Sequence, residues 1–271
     1  MTPPILWMGV KPIWRLGQAH SNPQIRYTWL PALPPNLRAP TAKNGRGTHL
    51  NESGDNRSIE AYLESFNLEQ ELHNPVVADN LFFIDNVVSS LLPHDASVLD
   101  VGCGLGRYAR FLSRPQASTN QWRYTGVERS SAIVALSRQF CPQCEFRSSD
   151  GCVQLPFDDG QYDLVMASSM LQYTCEEWLD SLREMRRVAR KLILIARLPM
   201  LRRAASAYCH QSVWDGQRFE DHYLRLFNRD EFELAFIQLG CRMIARDYSA
   251  EIFQVQGLAE PAICHLYLWA V

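Results

Sequence analysis

Three glycines stand at alternate positions directly after a short apolar run in the segment "VLDVGCGLGRY", residues 98–108. Glycine has no Cβ, so it lets the chain turn tightly and lets a ligand approach the main chain closely. Asp100 precedes Gly102, and Gly104 and Gly106 follow at intervals of two residues. A helix that begins after such a turn offers free N–H groups, so the segment predicts a site for a nucleoside-type cofactor.

The spacing of the glycines discriminates between cofactors. A dinucleotide fingerprint requires G-x-G-x-x-G, whereas this segment has G-x-G-x-G and places Arg107 where the third glycine of the fingerprint would stand. The pattern disfavours an NAD-dependent oxidoreductase, which stays open as the weakest of the alternatives.

Two further acidic residues follow, each at the end of the next predicted strand. Glu128 ends the run "YTGVE", where a carboxylate can accept hydrogen bonds from both hydroxyl groups of a ribose. Asp150 ends the strand after that and is followed by Gly151. Because the carboxyl ends of parallel strands meet at one edge of a sheet, we expect Asp100, Glu128 and Asp150 to face a common crevice.

Together these segments resemble class I S-adenosylmethionine-dependent methyltransferases over residues 95–200. The segment "VLDVGCGLGRYARFL" is similar to the family's first motif, and "YTGVERS" and "SSDGCVQLPFDDGQYDLVMAS" are similar to the two that follow. One departure is that Glu128 lies 28 residues after Asp100, whereas about 20 are usual. The polar insert "RPQASTNQWR" accounts for the excess as a longer loop.

The resemblance implies that the cofactor is S-adenosyl-L-methionine. In the family the glycine turn faces the methionine part, the second acid binds the ribose, and the third acid bonds the adenine amino group. The cofactor-binding residues that the resemblance implies are Asp100, Gly102, Cys103, Gly104, Gly106, Glu128, Arg129, Asp150, Gly151 and Ser168.

In this family the methyl acceptor lies near the end of the fourth strand and the segment after the fifth. Here the segment "SSMLQYT" lacks the Asn/Asp-Pro-Pro-aromatic tetrapeptide typical of enzymes that methylate exocyclic amines of bases. The resemblance therefore implies a small-molecule or carbohydrate acceptor, and we expect Gln172 and Tyr173 to line its pocket.

Residues 201–227 form a long connection rich in His, Tyr, Trp and Arg, which we interpret as a substrate lid. His222 and His210 in this segment are the candidates for a catalytic base. Methyl transfer is an in-line displacement that depends mainly on positioning, so whether a base is used at all stays open.

The elements that position these residues alternate between strand-like and helix-like patterns from residue 94 onward. Strands separated by helical segments predict parallel βαβ units, and the last two apolar runs, joined only by a loop, predict an antiparallel hairpin. The expected fold class is therefore α/β, a Rossmann-like doubly wound sheet of seven mostly parallel strands with a C-terminal antiparallel hairpin.

The chain divides into a Pro/Gly-rich, partly irregular N-terminal extension at residues 1–57 and a methyltransferase domain at residues 58–271. The extension contains tryptophan and tyrosine residues, which argue against a simple solvated linker, so whether it packs on the domain stays open. The domain has four expected parts: N-terminal helices at 58–93, a cofactor-binding half at 94–200, the substrate lid at 201–227, and a helix with the closing hairpin at 228–271.

Composition limits the partners and the compartment. The net charge of −2 gives no general attraction to nucleic acid, and no apolar run approaches the length of a membrane span. We expect a cytoplasmic protein with eight reduced cysteines and no metal, and we expect Cys141-Pro-Gln-Cys144 to form a turn between a helix and a strand. A non-catalytic nucleoside-binding or scaffolding protein of the same fold stays open as an alternative.

Overall fold

The computed structural model of the protein describes residues 25–30, 80–114, 117–119, 121–149, 153–214 and 219–271. Asp150 and Gly151, the predicted adenine-binding pair, lie outside the described residues, as does most of the predicted helical segment 58–93. The end of that segment is described, and residues 80–91 are helical as expected.

The described residues contain ten strands and four α-helices. The strands are β1 (Ile25–Leu30), β2 (Ser97–Val101), β3 (Arg123–Glu128), β4 (Glu145–Ser148), β5 (Tyr162–Ser168), β6 (Ala189–Leu201), β7 (Ala207–Trp214), β8 (Phe219–Asn228), β9 (Arg242–Phe253) and β10 (Ala262–Ala270). The helices are α1 (Arg107–Leu112), α2 (Ser131–Phe140), α3 (Trp178–Val188) and α4 (Arg229–Gln238). No helix in these ranges is long and apolar enough to cross a membrane.

Seven strands form the core sheet, in the order β4-β3-β2-β5-β6-β10-β9. The pairs β4-β3, β3-β2, β2-β5 and β5-β6 are parallel, whereas β10 runs antiparallel to both β6 and β9. The predicted seven-stranded, doubly wound sheet and its closing hairpin are therefore confirmed. All of β2 and nearly all of β5 are buried, as expected for central strands covered on both faces.

Local sequence signals set the ends of several elements. The side chain of Asn228 accepts a hydrogen bond from the N–H of Glu231 at 3.0 Å, which caps the start of α4. Gly240 has a φ of +79° just after this helix, a conformation that favours glycine. The turn at Cys141 and Cys144 between α2 and β4 is also confirmed, with the N–H of Cys144 donating to the Cys141 carbonyl at 3.0 Å.

A three-stranded antiparallel extension joins the core at the end of β6. In it β1 pairs with β7, β7 pairs with β8, and β8 runs beside the last residues of β6. The segment 201–227, interpreted from sequence as a substrate lid, is thus largely the sheet strands β7 and β8. Paired strands satisfy the backbone hydrogen-bonding groups of this long connection, which a loop would leave to water.

Part of the N-terminal extension packs on the domain through β1. The Tyr27 and Phe253 rings meet edge to face with centroids 4.9 Å apart. The N–H of Trp29 also donates to the carbonyl of Gln256 at 2.9 Å, and the N–H of Gln256 donates to Tyr27 at 3.0 Å. For residues 25–30, the question left open by the sequence is answered: they form an edge strand of the folded domain.

Candidate functional site

The glycine turn after β2 uses a left-handed backbone at all three glycines. The φ angles of Gly102, Gly104 and Gly106 are +73°, +54° and +74°. An added Cβ would lie 2.4 Å from Met170 Cγ at Gly102 and 2.8 Å from Phe146 Cζ at Gly106. At these two positions the missing side chains make room for the protein's own core, so packing and backbone conformation both require glycine.

Backbone hydrogen bonds fasten this turn to the end of the neighbouring strand β3. The N–H groups of Gly102 and Cys103 both donate to the Val127 carbonyl, at 2.8 and 3.0 Å. The N–H of Gly104 donates to the Glu128 carboxylate at 3.1 Å. The turn and the predicted ribose-binding acid are thus held in one unit.

The second Glu128 oxygen accepts from the N–H groups of Arg129, at 2.8 Å, and Ser130, at 3.3 Å. Arg129, a predicted cofactor contact, therefore contacts Glu128 through its backbone N–H. A carboxylate has about four lone-pair positions. The N–H groups of Gly104, Arg129 and Ser130 use three of them, so Glu128 keeps one for a ribose hydroxyl while it holds the turn.

Asp100 lies below the turn and is only 1% exposed. The Tyr124 hydroxyl donates to its carboxylate at 2.6 Å. Burial raises the pKa of Asp100 to about 7, against the lowering effect of the Tyr124 hydrogen bond. The structure places this predicted cofactor residue in the interior, two residues before Gly102, where the Tyr124 hydroxyl holds its carboxylate.

Cys103 is also buried, and burial raises the pKa of its thiol well above the ordinary value. Its sulfur lies 2.7 Å from the position that a Cβ on Gly126 would occupy. A thiol in this state is neutral at physiological pH, which makes Cys103 a packing residue of the turn.

Ser168 ends β5 and connects it to the helix that follows the glycine turn. Its hydroxyl lies 2.9 Å from the Tyr108 hydroxyl, which in turn accepts from the side-chain amide of Asn80 at 3.2 Å. The next residue, Ser169, has a left-handed φ of +56° and turns the chain away from the sheet. Consecutive residues therefore face two different compartments, the glycine turn and a cavity beyond it.

The cavity has a volume of about 240 Å³ and lies between the carboxyl ends of β5 and β6 and the three-stranded extension. Its walls combine residues from both parts of the sheet. They are Tyr27, Ser169, Gln172, Tyr173, Arg197, Pro199, Gln211, Leu224, Glu251 and Phe253. Gln172 and Tyr173, which the sequence assigns to the acceptor pocket, both stand on its wall.

Two amide side chains of the wall are almost completely buried, with Gln172 4% and Gln211 9% exposed. The Gln172 nitrogen donates to the Ser169 hydroxyl at 3.0 Å, and the Gln211 nitrogen donates to the Tyr27 hydroxyl at 3.2 Å. Neither amide oxygen has a hydrogen-bond partner among the described residues. Buried polar atoms of this kind are uncommon and call for a partner.

The charged residues of the wall neutralise each other. Arg197 binds Glu251 in two places, from Nε to Oε2 at 3.1 Å and from Nη2 to Oε1 at 3.2 Å. Burial opposes the charged form of Arg197, but the Glu251 carboxylate holds the pKa of the guanidinium above its ordinary value. Burial also raises the pKa of Tyr173 to about 12, so that this phenol is neutral.

Comparison with known proteins agrees with this geometry. Residues 98–191 match a family described as "Methyltransferase domain". The chain is also 33% identical over 82 residues to a curated trans-aconitate 2-methyltransferase from Variovorax paradoxus. That match spans 30% of this chain and 30% of the relative's length.

Solved structures share the fold at low sequence identity. A S-adenosylmethionine-dependent methyltransferase from Methanosarcina mazei has a TM-score of 0.54 at 13% identity, covering 68% of this chain and 96% of that one. A magnesium protoporphyrin IX methyltransferase from Synechocystis, solved with bound SAH, has a TM-score of 0.51 at 14% identity, covering 82% and 95%. Residues 98–191 are thus similar to a methyltransferase domain in sequence, and the fold is the one that these solved methyltransferases share.

Of the two histidines considered as a base, neither lines the cavity, and only His222 lies on the sheet face that the cavity shares. His222 stands directly opposite Gln211 in the β7-β8 register, so their side chains share a face of the extension. His210 neighbours Gln211 along β7 and therefore points to the other face, where its Nε2 lies 2.9 Å from Asp221 Oδ1. The structure does not bring His210 to the cavity.

Several residues of the candidate site carry no signal in the sequence. Tyr124 binds Asp100, Met170 lies against Gly102, and Tyr27, Arg197 and Glu251 build the cavity wall. Arg197 has a left-handed φ of +55°, which is unusual for a residue other than glycine, but backbone angles cannot be read from a strand pattern.

Proposed function

We propose that the protein transfers a methyl group from S-adenosyl-L-methionine to a small-molecule or carbohydrate acceptor that binds in the cavity. The observation that carries this proposal is the placement of Ser168 and Ser169. The first is hydrogen-bonded to Tyr108, beside the glycine turn, and the second lines the cavity. A cofactor at the turn and an acceptor in the cavity would therefore be neighbours across the end of β5.

The residues present fit the nucleoside part of the cofactor. The Glu128 carboxylate stands at the end of β3 with one unused lone pair, beside a turn that is rigid because its N–H groups are fastened to Val127 and Glu128. Glu128 would hold the ribose, and the glycine turn would face the methionine part. When bound, the cofactor supplies a methyl group on a sulfonium sulfur, which keeps the S–C electron pair as the acceptor atom forms its new bond to carbon and releases its proton.

The chain's own contribution is to hold the acceptor in line and to keep water out, which is the larger part of catalysis in such a displacement. If the acceptor atom is a hydroxyl oxygen, its proton has to pass to a base. His222 is the histidine that we retain for this role, because it lies on the cavity face of β8. The near balance of charge over the whole chain, with a net value of −2, supports a small acceptor over a nucleic acid.

Calorimetric titration with S-adenosylmethionine, with NAD as a parallel control, tests the proposal. We expect S-adenosylmethionine to bind with micromolar affinity and NAD not to bind. Binding of NAD alone would overturn the assignment of the glycine turn. Binding of neither, repeated with candidate acceptors present, would favour the non-catalytic scaffold.

A further inference from the structure

The two amides on the cavity wall restrict what can bind there. In both Gln172 and Gln211 the amide nitrogen is hydrogen-bonded to a hydroxyl, of Ser169 and Tyr27, while the amide oxygen is unmatched among the described residues. A hydroxyl can donate as well as accept, so each amide can also turn over and leave its nitrogen unmatched instead. Each glutamine therefore has one unused hydrogen-bonding atom, which is an acceptor in one orientation and a donor in the other.

A ligand hydroxyl satisfies either orientation, because it can donate to an amide oxygen or accept from an amide nitrogen. A carboxylate only accepts, so it could pair with only one orientation. Two such amides on the wall, one after β5 and one on β7, thus match a ligand that carries at least two hydroxyl groups.

The charges of the wall also favour a neutral ligand over a carboxylate. Among the described residues that line the cavity, Arg197 is the one cation and Glu251 the one anion, and they already form a two-point ion pair. An anionic ligand would have to break this pair or enter without a free cation to meet it. Either event leaves a charge uncompensated in a partly buried site, which is costly.

The dimensions suit a single small ring. The cavity volume of about 240 Å³ corresponds to the liquid volume of about eight waters. Aromatic side chains of Tyr27, Tyr173 and Phe253 supply apolar wall between the polar groups. Such a wall buries the C–H surface of a ring while the amides pair with its hydroxyls.

We propose that the cavity selects an uncharged acceptor with at least two hydroxyl groups, of the class of monosaccharides and cyclic polyols. Gln172 and Gln211 are the residues that determine this specificity, and the Arg197–Glu251 pair excludes carboxylates. The proposal rests on the proposed function, because it takes the cavity as the acceptor site.

A panel of matched probes tests the proposal on the full chain. Methyl glucopyranoside and inositol are the neutral probes, and methyl glucopyranosiduronate and quinate are carboxylates of similar size. Binding is followed by saturation-transfer NMR without cofactor, and transfer of a labelled methyl group is measured separately. We expect the neutral probes to bind at least about tenfold better than their carboxylate counterparts, because of the cost of an unpaired charge.

Substitutions in the wall then assign the effect to residues. Gln172→Leu and Gln211→Leu should each weaken binding of the best neutral probe by about three- to tenfold, the value of one hydrogen bond. Gln238→Leu, at an exposed position on α4, is the matched control and should change nothing. Glu251→Gln leaves Arg197 without its anion, so it should shift preference toward the carboxylates; this variant serves if the leucine variants do not fold.

The outcomes separate this proposal from the proposed function. Preference for carboxylates in the unmodified protein overturns the proposal, as does failure of every neutral probe to bind while S-adenosylmethionine binds by calorimetry. Absence of S-adenosylmethionine binding overturns the proposed function instead, and the NMR measurement still shows which chemistry the cavity accepts.

Discussion

The proposed cofactor side and the proposed acceptor side of this domain are built in different ways. On the cofactor side, the turn at Gly102–Gly106 and Glu128 lie close together in the chain and are joined by backbone N–H groups. On the acceptor side, the cavity depends on side chains that range from Tyr27 to Phe253 in the sequence. The comparison shows that a site held by backbone geometry depends on few side chains, while a site made of distant side chains depends on each of them.

The largest expected effect is that of Gly104→Arg on S-adenosylmethionine binding, which tests the cofactor side alone. A long side chain on the left-handed turn fills the space beside Glu128, so we expect S-adenosylmethionine binding to be abolished while the fold is largely kept. Gly160→Arg is the matched control, because Gly160 has a similar φ of +60° and its added Cβ would meet only Arg190 Cβ, at 3.9 Å. Calorimetry and circular dichroism on both variants test this, and undiminished affinity in Gly104→Arg would refute the site.

Deletion of residues 1–56 should separate the two sides. It removes β1 and with it Tyr27 from the cavity wall, but it leaves every strand of the seven-stranded core. We expect a folded protein that binds S-adenosylmethionine with little change and has lost methyl transfer to the acceptor. Insolubility or a much lower melting temperature would show instead that the seven-stranded core depends on residues 1–56.

A smaller loss is expected from Glu128→Ala. Charge-assisted hydrogen bonds to the ribose are worth roughly 1.5–3 kcal/mol each, so S-adenosylmethionine binding should weaken by at least about tenfold. The variant also loses the bond to the Gly104 N–H, so the turn itself should loosen. A 2′,3′-dideoxy analogue of the cofactor isolates the ribose contribution, and equal affinity for both compounds would contradict the role of Glu128.

The smallest effect on S-adenosylmethionine binding is expected from Asp100, whose change acts on the pH dependence of stability. The pKa of Asp100 is raised to about 7 in the folded protein from 3.8 in the unfolded chain, so the folded state holds the proton longer. This contribution to stability is complete below about pH 4 and is lost as the pH rises to about 7. Asp100→Asn should therefore flatten the free energy of unfolding between these two values in urea titrations.

Asp163 provides a control of opposite sign. Burial would raise its pKa, but hydrogen bonds from the backbone and side chain of Ser97 and from Arg190 bring it down to about 2. Its contribution to stability is present above about pH 4 and is lost as the pH falls toward 2. Asp163→Asn should change the acid limb and leave the range from pH 4 to 7 unaltered, and the same change in both variants would contradict the assignment to Asp100.

The contrast between the two sides also explains what the sequence could predict. The motif around Gly104, the acid at the end of β3 and the closing hairpin are local patterns, and each has a counterpart in the structure. The three-stranded antiparallel extension was not predicted, because polar and aromatic residues obscure the alternation in β7 and because β1 has its partner far along the chain. Even within the motif, the sequence explains only part of why Gly102 and Gly106 are glycines. An added Cβ would also meet Met170 and Phe146, and these contacts follow only from tertiary packing.

The pairing of Tyr27 with Gln211 has a consequence for biosynthesis. The two residues are 184 positions apart, yet their side chains are hydrogen-bonded across β1 and β7. At about 5–20 residues per second, the ribosome releases the partner of β1 roughly 10–40 s after β1 itself. The nascent chain can thus assemble the glycine turn first, while β1 waits as an unpaired edge that a chaperone or a second chain could capture.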